Sequence, residues 1–397
     1  MSASDAGATR EGAGPDGLLL ASILALTAIG AVMVYSASAV LAEQKLGDQF
    51  NFLKRQLVAA GAGLVLLAAA LKLGTRRLSA LAYPLLAATV ALLALVPFVG
   101  RTAGGARRWL DLGLLRFQPA ELAKVALVLY LARSLARKRE KVKVFSIGVL
   151  PHVLVTGLLF ALCLLERDLG SGFILVLVLF AMLFAAGAKV SYLIGALLVA
   201  ATAAWQIVVA TPYRYARIIA FLDPERYRAG AGYQLWESLL GAANGGWFGQ
   251  GLGQGKGKLY YLPAAHTDFI AAVIGEEAGL LGVLLLAGLF TVVVWRGLRA
   301  ALRASEPFSC YLALGLTTLI AGQALVNLAV VFGLLPTKGL TLPFVSYGGS
   351  SLMTLLGGAG ALLAVSGERG GFLRPGAPAV RVAPGGSRRE GRAEVAP

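Results

Sequence analysis

Ten apolar stretches, each close to the length of a bilayer crossing, account for most of this chain. A hydrocarbon core of about 30 Å takes about 20 residues of helix. The stretches are continuous rather than alternating, which argues against a transmembrane β-barrel. They run over residues 17–35, 56–73, 78–99, 119–135, 145–165, 169–186, 190–210, 269–294, 308–335 and 350–365. Only 14% of residues are charged and 58% are hydrophobic, whereas a soluble globule carries about 25% charge. The expected fold is therefore an all-α polytopic membrane protein with ten transmembrane helices. A large extracytoplasmic loop, residues 211–267, separates helices seven and eight. The membrane domain spans 17–368, with a cytoplasmic tail at 1–16 and a basic, Gly- and Pro-rich tail at 369–397 that is expected to be disordered.

The net charge of +16 would suggest nucleic acid in a soluble protein. In a membrane protein the first cause is topology, because cytoplasmic loops collect Lys and Arg. The dense run Arg133–Lys143 orients the chain with both termini inside. That orientation places 20 basic residues inside and 15 outside. The outer group runs against the rule and asks for a different explanation. The first stretch reads as a retained span, since the tail before it is acidic and secretory n-regions are basic. Cys163 and Cys310 lie in apolar stretches and read as packing residues.

Three outer elements concentrate residues that could carry chemistry. The first runs from Gly104 through Arg107, Arg108 and Arg116 into Gln118-Pro119-Ala120-Glu121. Glu121 and Lys124 are three apart on a helix and share a face. They read either as a structural ion pair or as a functional intramembrane pair. The second is Leu262-Pro263-Ala264-Ala265-His266-Thr267-Asp268-Phe269. Asp268 stands where the long loop meets an apolar helix. Partial desolvation there raises a carboxylate pKa and favours a general base; a simple N-cap is the other reading, with His266 only a neighbour. The third is Leu335-Pro336-Thr337-Lys338-Gly339 through Ser346-Tyr347-Gly348-Gly349-Ser350-Ser351. Its prolines and glycines imply a fixed re-entrant turn, tolerated at membrane depth only where protein or a cavity surrounds it. Lys338 reads as a phosphate ligand or as a snorkelling side chain. Together these elements point to an anionic, lipid-linked substrate.

At these residues the chain resembles the SEDS family of membrane proteins (shape, elongation, division and sporulation). The resemblance lies in GGARRWL, QPAELAK, LPAAHTDFIAAVIGEE, LLPTKGLTLPFVSYGGSS and Val34-Tyr35-Ser36-Ala37-Ser38, and covers residues 17–365. Thr337-Lys338-Gly339 followed by Thr341-Leu342-Pro343 is similar to the division member; the elongation member typically reads Val-Thr-Gly there. The resemblance implies a ten-helix peptidoglycan glycosyltransferase that polymerises lipid II on undecaprenyl-pyrophosphate-linked glycan during septal wall synthesis. It implies a class B penicillin-binding protein as transpeptidase partner, with other divisome proteins, and no nucleic acid. It places the essential carboxylate on Asp268, a functional lysine on Lys338, and the family's Arg and Lys around Gln-Pro-x-Glu on Arg116 and Lys124; Arg107, Arg108, His266 and Ser350 are expected beside them as further substrate contacts. A divalent cation, Mg²⁺ or Mn²⁺, is expected with Asp268 as ligand. The family often carries acidic residues where this chain has Tyr260 and Ala264, which puts other metal ligands in doubt. Its usual Gln-Pro-Asp-Leu-Gly reads Glu166-Arg167-Asp168-Leu169-Gly170 here. A lipid II flippase or a non-catalytic scaffold are the competing functions. A flippase needs polar residues through the whole bundle depth, and this chain concentrates charge on the outer side.

Overall fold

A computed structural model describes residues 14–103, 106–111, 113, 116–255 and 265–368. The expected disorder after residue 368 and the positions Tyr260 and Ala264 lie outside the described residues. Among the described residues there are eleven α-helices: α1 Gly17–Leu46, α2 Asn51–Val99, α3 Pro119–Arg137, α4 Leu150–Leu165, α5 Leu169–Ala185, α6 Val190–Val209, α7 Pro212–Leu222, α8 Tyr233–Asn244, α9 Ile270–Arg303, α10 Pro307–Val331 and α11 Gly349–Ser366. Seven helical segments, among the described residues, are long and apolar enough to cross a membrane. The chain is a multi-pass helical membrane protein.

Local chemistry sets the helix ends. Asp16 caps α1 by accepting from the backbone N–H groups of Leu18 and Leu19 at 3.1 Å, satisfying donors that the first turn leaves open. Proline stands in the first turn of α3, α4, α7 and α10, where its missing N–H costs nothing. The helix α1 continues to Leu46, well past the apolar stretch that ends at residue 35. At 30 residues it is about 45 Å long, so it stands clear of the hydrocarbon at one end. Helix α2 is broken at Gly74, φ 67°.

The innermost helices are α3, α10 and α11. Helix α3 is the most charged of the three, yet Glu121 and Lys124 are both buried. Helices α1, α2, α5 and α9 pack around this centre. Helix α6 packs mainly on α5 and α7 and buries one residue, Leu193.

Two expectations need correction. The protein is not purely α: β1 Arg101–Ala103, β2 Ala106–Asp111 and β3 Arg116–Phe117 form a small antiparallel sheet. Arg101 pairs with Trp109, and Asp111 with Arg116. These strands are too short and too rich in arginine to show apolar alternation. The segment 211–267, expected as a loop, holds two helices, α7 and α8.

Close packing positions the turn between α10 and α11. A Cβ on Gly30 of α1 would lie 2.7 Å from the Val345 Cα and 2.8 Å from the Phe344 carbonyl oxygen. Both neighbours are backbone and cannot rotate away. Gly30→Ala is therefore expected to destabilise the protein by about 1–3 kcal/mol, the usual cost of overpacking. A clear drop in thermal unfolding midpoint of the purified variant checks it, and an unchanged midpoint contradicts it.

Candidate active site

The turn 332–348 is held from below by two polar side chains of α10. Asn327 Nδ2 donates to the carbonyl of Leu340 at 2.6 Å and to the carbonyl of Asp268 at 2.8 Å. One amide thus ties the residue before α9 to the turn before α11. Gln323 Nε2 donates to the Thr341 carbonyl at 2.9 Å. Ser346 Oγ donates to the Thr267 carbonyl at 2.6 Å and accepts from the Leu342 N–H at 2.8 Å. Buried backbone groups of an irregular turn need such partners.

Beside this turn lies a cavity of about 530 Å³. Asp268 lines it, with Arg55, Arg101, Arg108 and Arg116, and with Asp168, Glu121, Thr341 and Ser350. Gly339 lies against the Asp268 carboxylate: a Cβ there would sit 3.4 Å from Oδ2. Burial pushes the Asp268 pKa up to about 6, the Asp168 carboxylate adds to the rise, and Arg108 and Arg217 oppose it. The result is a carboxylate that holds a proton more readily than usual and still ionises at neutral pH.

Arg108 is pinned by backbone. Its Nε donates to the Glu166 carbonyl at 3.0 Å and its Nη2 to the Arg167 carbonyl at 2.8 Å. Asp168 caps α5, accepting from Ser171 N–H at 3.0 Å, Ser171 Oγ at 2.8 Å and Gln118 Nε2 at 3.1 Å. Ser350 Oγ donates to the Arg116 carbonyl at 2.8 Å and accepts from the Gln118 N–H at 2.9 Å. Its hydroxyl therefore fixes the sheet on α11. Beneath the cavity, Lys124 Nζ donates to Glu121 Oε1 at 2.8 Å and to Gln323 Oε1 at 3.0 Å. A polar chain then runs from Glu121 through Lys124 and Gln323 to Thr341.

The structure brings Asp268, Arg108, Arg116, Ser350 and Glu121 around one cavity. It leaves other sequence candidates off the wall. Arg107 donates to the Pro97 carbonyl at 2.9 Å instead. Lys124 lies below, bonded to Glu121. His266 lies tilted between Phe52 and Tyr347 at ring distances of 4.9 and 5.6 Å, and burial pushes its pKa down to about 4. It is a neutral packing group. Lys338 Nζ sits 4.1 Å from the Phe173 ring centre, and burial lowers its pKa.

The fold and this cavity bear comparison with known proteins. The family model described as "Cell cycle protein", covering FtsW, RodA and SpoVE, matches residues 17–370. The chain belongs to the FtsW/RodA/SpoVE family. A relative called probable peptidoglycan glycosyltransferase FtsW, from Geobacter sp. strain M18, is 47% identical over 355 residues, covering 89% of this chain and 97% of that protein. Stage V sporulation protein E of Bacillus subtilis strain 168 is 39% identical over 354 residues, covering 89% and 97%. Among solved structures, a chain described under "Structural coordination of polymerization and crosslinking by a peptidoglycan synthase complex" superposes with a TM-score of 0.72 at 34% identity, covering 89% and 97%. The rod shape determining protein RodA of Thermus thermophilus superposes with a TM-score of 0.67 at 34% identity, covering 89% and 97%.

Wall residues of this FtsW/RodA/SpoVE member that sequence reasoning did not single out include Arg55, Arg101 and Asp168. Asp168 sat in a motif visible only as a departure from the family pattern, and Arg55 looked like an ordinary outer charge. As for a metal, no three His, Cys, Asp or Glu side chains gather into a ligand set among the described residues. The donors do not make a protein-only metal site. Four arginines on the same wall supply positive charge instead.

Proposed function

We propose that this family member is a peptidoglycan glycosyltransferase that polymerises lipid II at the outer face of the cytoplasmic membrane during septal wall synthesis. The observation that carries the reading is one weakened carboxylate, Asp268, facing a cavity walled by Arg55, Arg101, Arg108 and Arg116. In this reading Asp268 removes the proton from the 4-hydroxyl of the acceptor sugar. That oxygen attacks the anomeric carbon of the growing chain with inversion. The bond from that carbon to the pyrophosphate oxygen breaks, and undecaprenyl pyrophosphate leaves with the electron pair. The arginines stabilise the charge that develops on the leaving phosphates. Pyrophosphate leaves as an anion and needs little protonation, so a single base suffices.

Ten crossings follow if α2 counts as two across Gly74 and if α3 and α5 are added to the remaining spans. Both termini are then cytoplasmic. A class B penicillin-binding protein is the cognate transpeptidase. A divalent cation is proposed with Asp268 as sole protein ligand beside substrate phosphates, and no step above runs through it. Parallel reactions with chelator and with Mg²⁺ or Mn²⁺ test that ligand set.

The deciding assay combines purified protein, its penicillin-binding partner and labelled lipid II. Glycan polymer is the expected product. Transfer of lipid II across liposomes without polymer would support a flippase and sink the reading. The same assay has a predicted pH profile. The base works only when ionised, so activity should be full above pH 7 and fall as pH drops through about 6. An acid limb near the ordinary carboxylate pKa of about 4 would remove Asp268 as the controlling group.

A further inference from the structure

Helix α9 changes character at one residue. From Ile270 to Glu277 every side chain is buried in protein. At Gly279 the backbone leaves the helical region, φ 67°, which only glycine adopts freely. From Leu280 onward the face turns outward, and Leu280, Leu281, Leu284 and Leu285 are exposed. The 24 residues from the break to Arg303 are about 36 Å long, enough to cross a bilayer alone. The break therefore marks where the crossing part of α9 ends.

The glycine-dense loop at 245–253 docks on that break. Leu280 and Leu281 donate their N–H groups to the carbonyls of Gly246 and Trp247 at 2.9 and 3.2 Å. Gln250 and Gly251 donate to the carbonyls of Glu276 and Glu277, both at 3.0 Å. Gly253 N–H donates to the Glu277 carboxylate at 3.1 Å, and Ser36 of α1 donates to the same carboxylate at 2.7 Å. The loop restores the backbone hydrogen bonds that the break removes. It is thus a rigid splint, and three large apolar side chains stand out from it: Trp247 67% exposed, Phe248 80% and Leu252 65%.

We propose that this loop is seated in the outer leaflet, with Trp247, Phe248 and Leu252 as interfacial anchors. The backbone carrying them is bonded to Leu280 and Leu281, the first exposed apolar residues after the break. Aromatic side chains favour the headgroup boundary. The splint holds them at the level where the crossing ends. A segment read from sequence as a free outer loop is then partly monotopic, and it sets the height of the chain that leads on toward Asp268. The proposal stands apart from the enzymatic reading.

The test uses single cysteines. Cys163 and Cys310 are buried, so an introduced thiol takes an environment-sensitive fluorophore selectively. Trp247→Cys, Phe248→Cys and Leu252→Cys are compared with Glu225→Cys on the exposed outer turn, in full-length protein in lipid nanodiscs without any partner. The three loop probes are expected to be blue-shifted, quenched severalfold more by lipid carrying a nitroxide near the headgroup than the Glu225 probe, and severalfold less by aqueous iodide. Equal iodide access at all four positions overturns the proposal. Protection that appears only on adding a partner protein, or only at concentrations where the chain self-associates, overturns it too. Phe248 packs least, so its variant keeps the test decisive if Trp247→Cys does not fold.

Discussion

Asp268→Asn should cut lipid II polymerisation by about 10²–10⁴-fold, the usual contribution of a positioned general base, with the fold intact. Asn keeps the size of the side chain and cannot accept the sugar proton. The segment around it is held by backbone contacts that the change does not touch: Asn327 to the Asp268 carbonyl at 2.8 Å and Tyr347 N–H to the His266 carbonyl at 2.9 Å. The variant should therefore express, unfold at a normal or slightly higher temperature, and still bind its substrate. Burial disfavours the carboxylate charge, so removing that charge does not harm stability. Rate of glycan formation by purified variant, against its thermal midpoint, is the measurement. Near-normal polymer from Asp268→Asn would end the assignment, whatever the midpoint.

The second large effect is on stability. Lys124→Met should cost about 3–5 kcal/mol, because it strands the Glu121 carboxylate in the protein interior. Lys124 and Glu121 form a 2.8 Å pair with almost no solvent access. Glu121 Oε2 already has no hydrogen-bond partner, so loss of the ammonium leaves the group with nothing. Gln323 also loses a donor, and it is the residue that holds the Thr341 carbonyl. Glu121→Gln in the Lys124→Met background removes the stranded charge and should recover most of the loss, since neutral replacement of a buried pair is often tolerated. A double-mutant cycle on unfolding midpoints reads the coupling. Additive single effects would show that the pair is not a unit. Polymerase activity of the double variant then separates the two readings of the pair: retained activity means that it only holds α3, and lost activity means that Glu121 acts in the cavity.

Much of this molecule was legible because bilayer crossings leave a strong compositional mark. The apolar stretches fall on helices, except that the ninth runs on from α10 into the turn after Val331. What stayed hidden depends on contacts between distant residues or on geometry finer than composition. Arg107 and Arg108 look equivalent in sequence. In β2 they are successive residues, and successive strand side chains point to opposite faces; one reaches Glu166 and Arg167 across the cavity wall, the other the end of α2. The final turns of α1 were invisible because 36–46 mixes small, polar and charged residues. Arg55 and Asp168 meet Asp268 only through packing of α2 and α5 around α3 and α10. Lys338 shows the opposite case. Its motif singled it out, and the turn directs its ammonium onto Phe173 rather than onto the cavity wall.

Ser350 closes the cavity by bonding both the Arg116 carbonyl and the Gln118 N–H, 234 and 232 residues earlier in the chain. It sits in the first turn of α11, the last helix among the described residues. During synthesis the earlier helices enter the membrane without that clasp, so the strand carrying Arg116 pairs with β2 but is not yet fixed on α11. A chain interrupted before α11 carries Asp268 and every wall arginine, yet lacks the assembled pocket. Competence of the site is therefore linked to synthesis of α11, and ribosomes that stall before it release products unable to build wall.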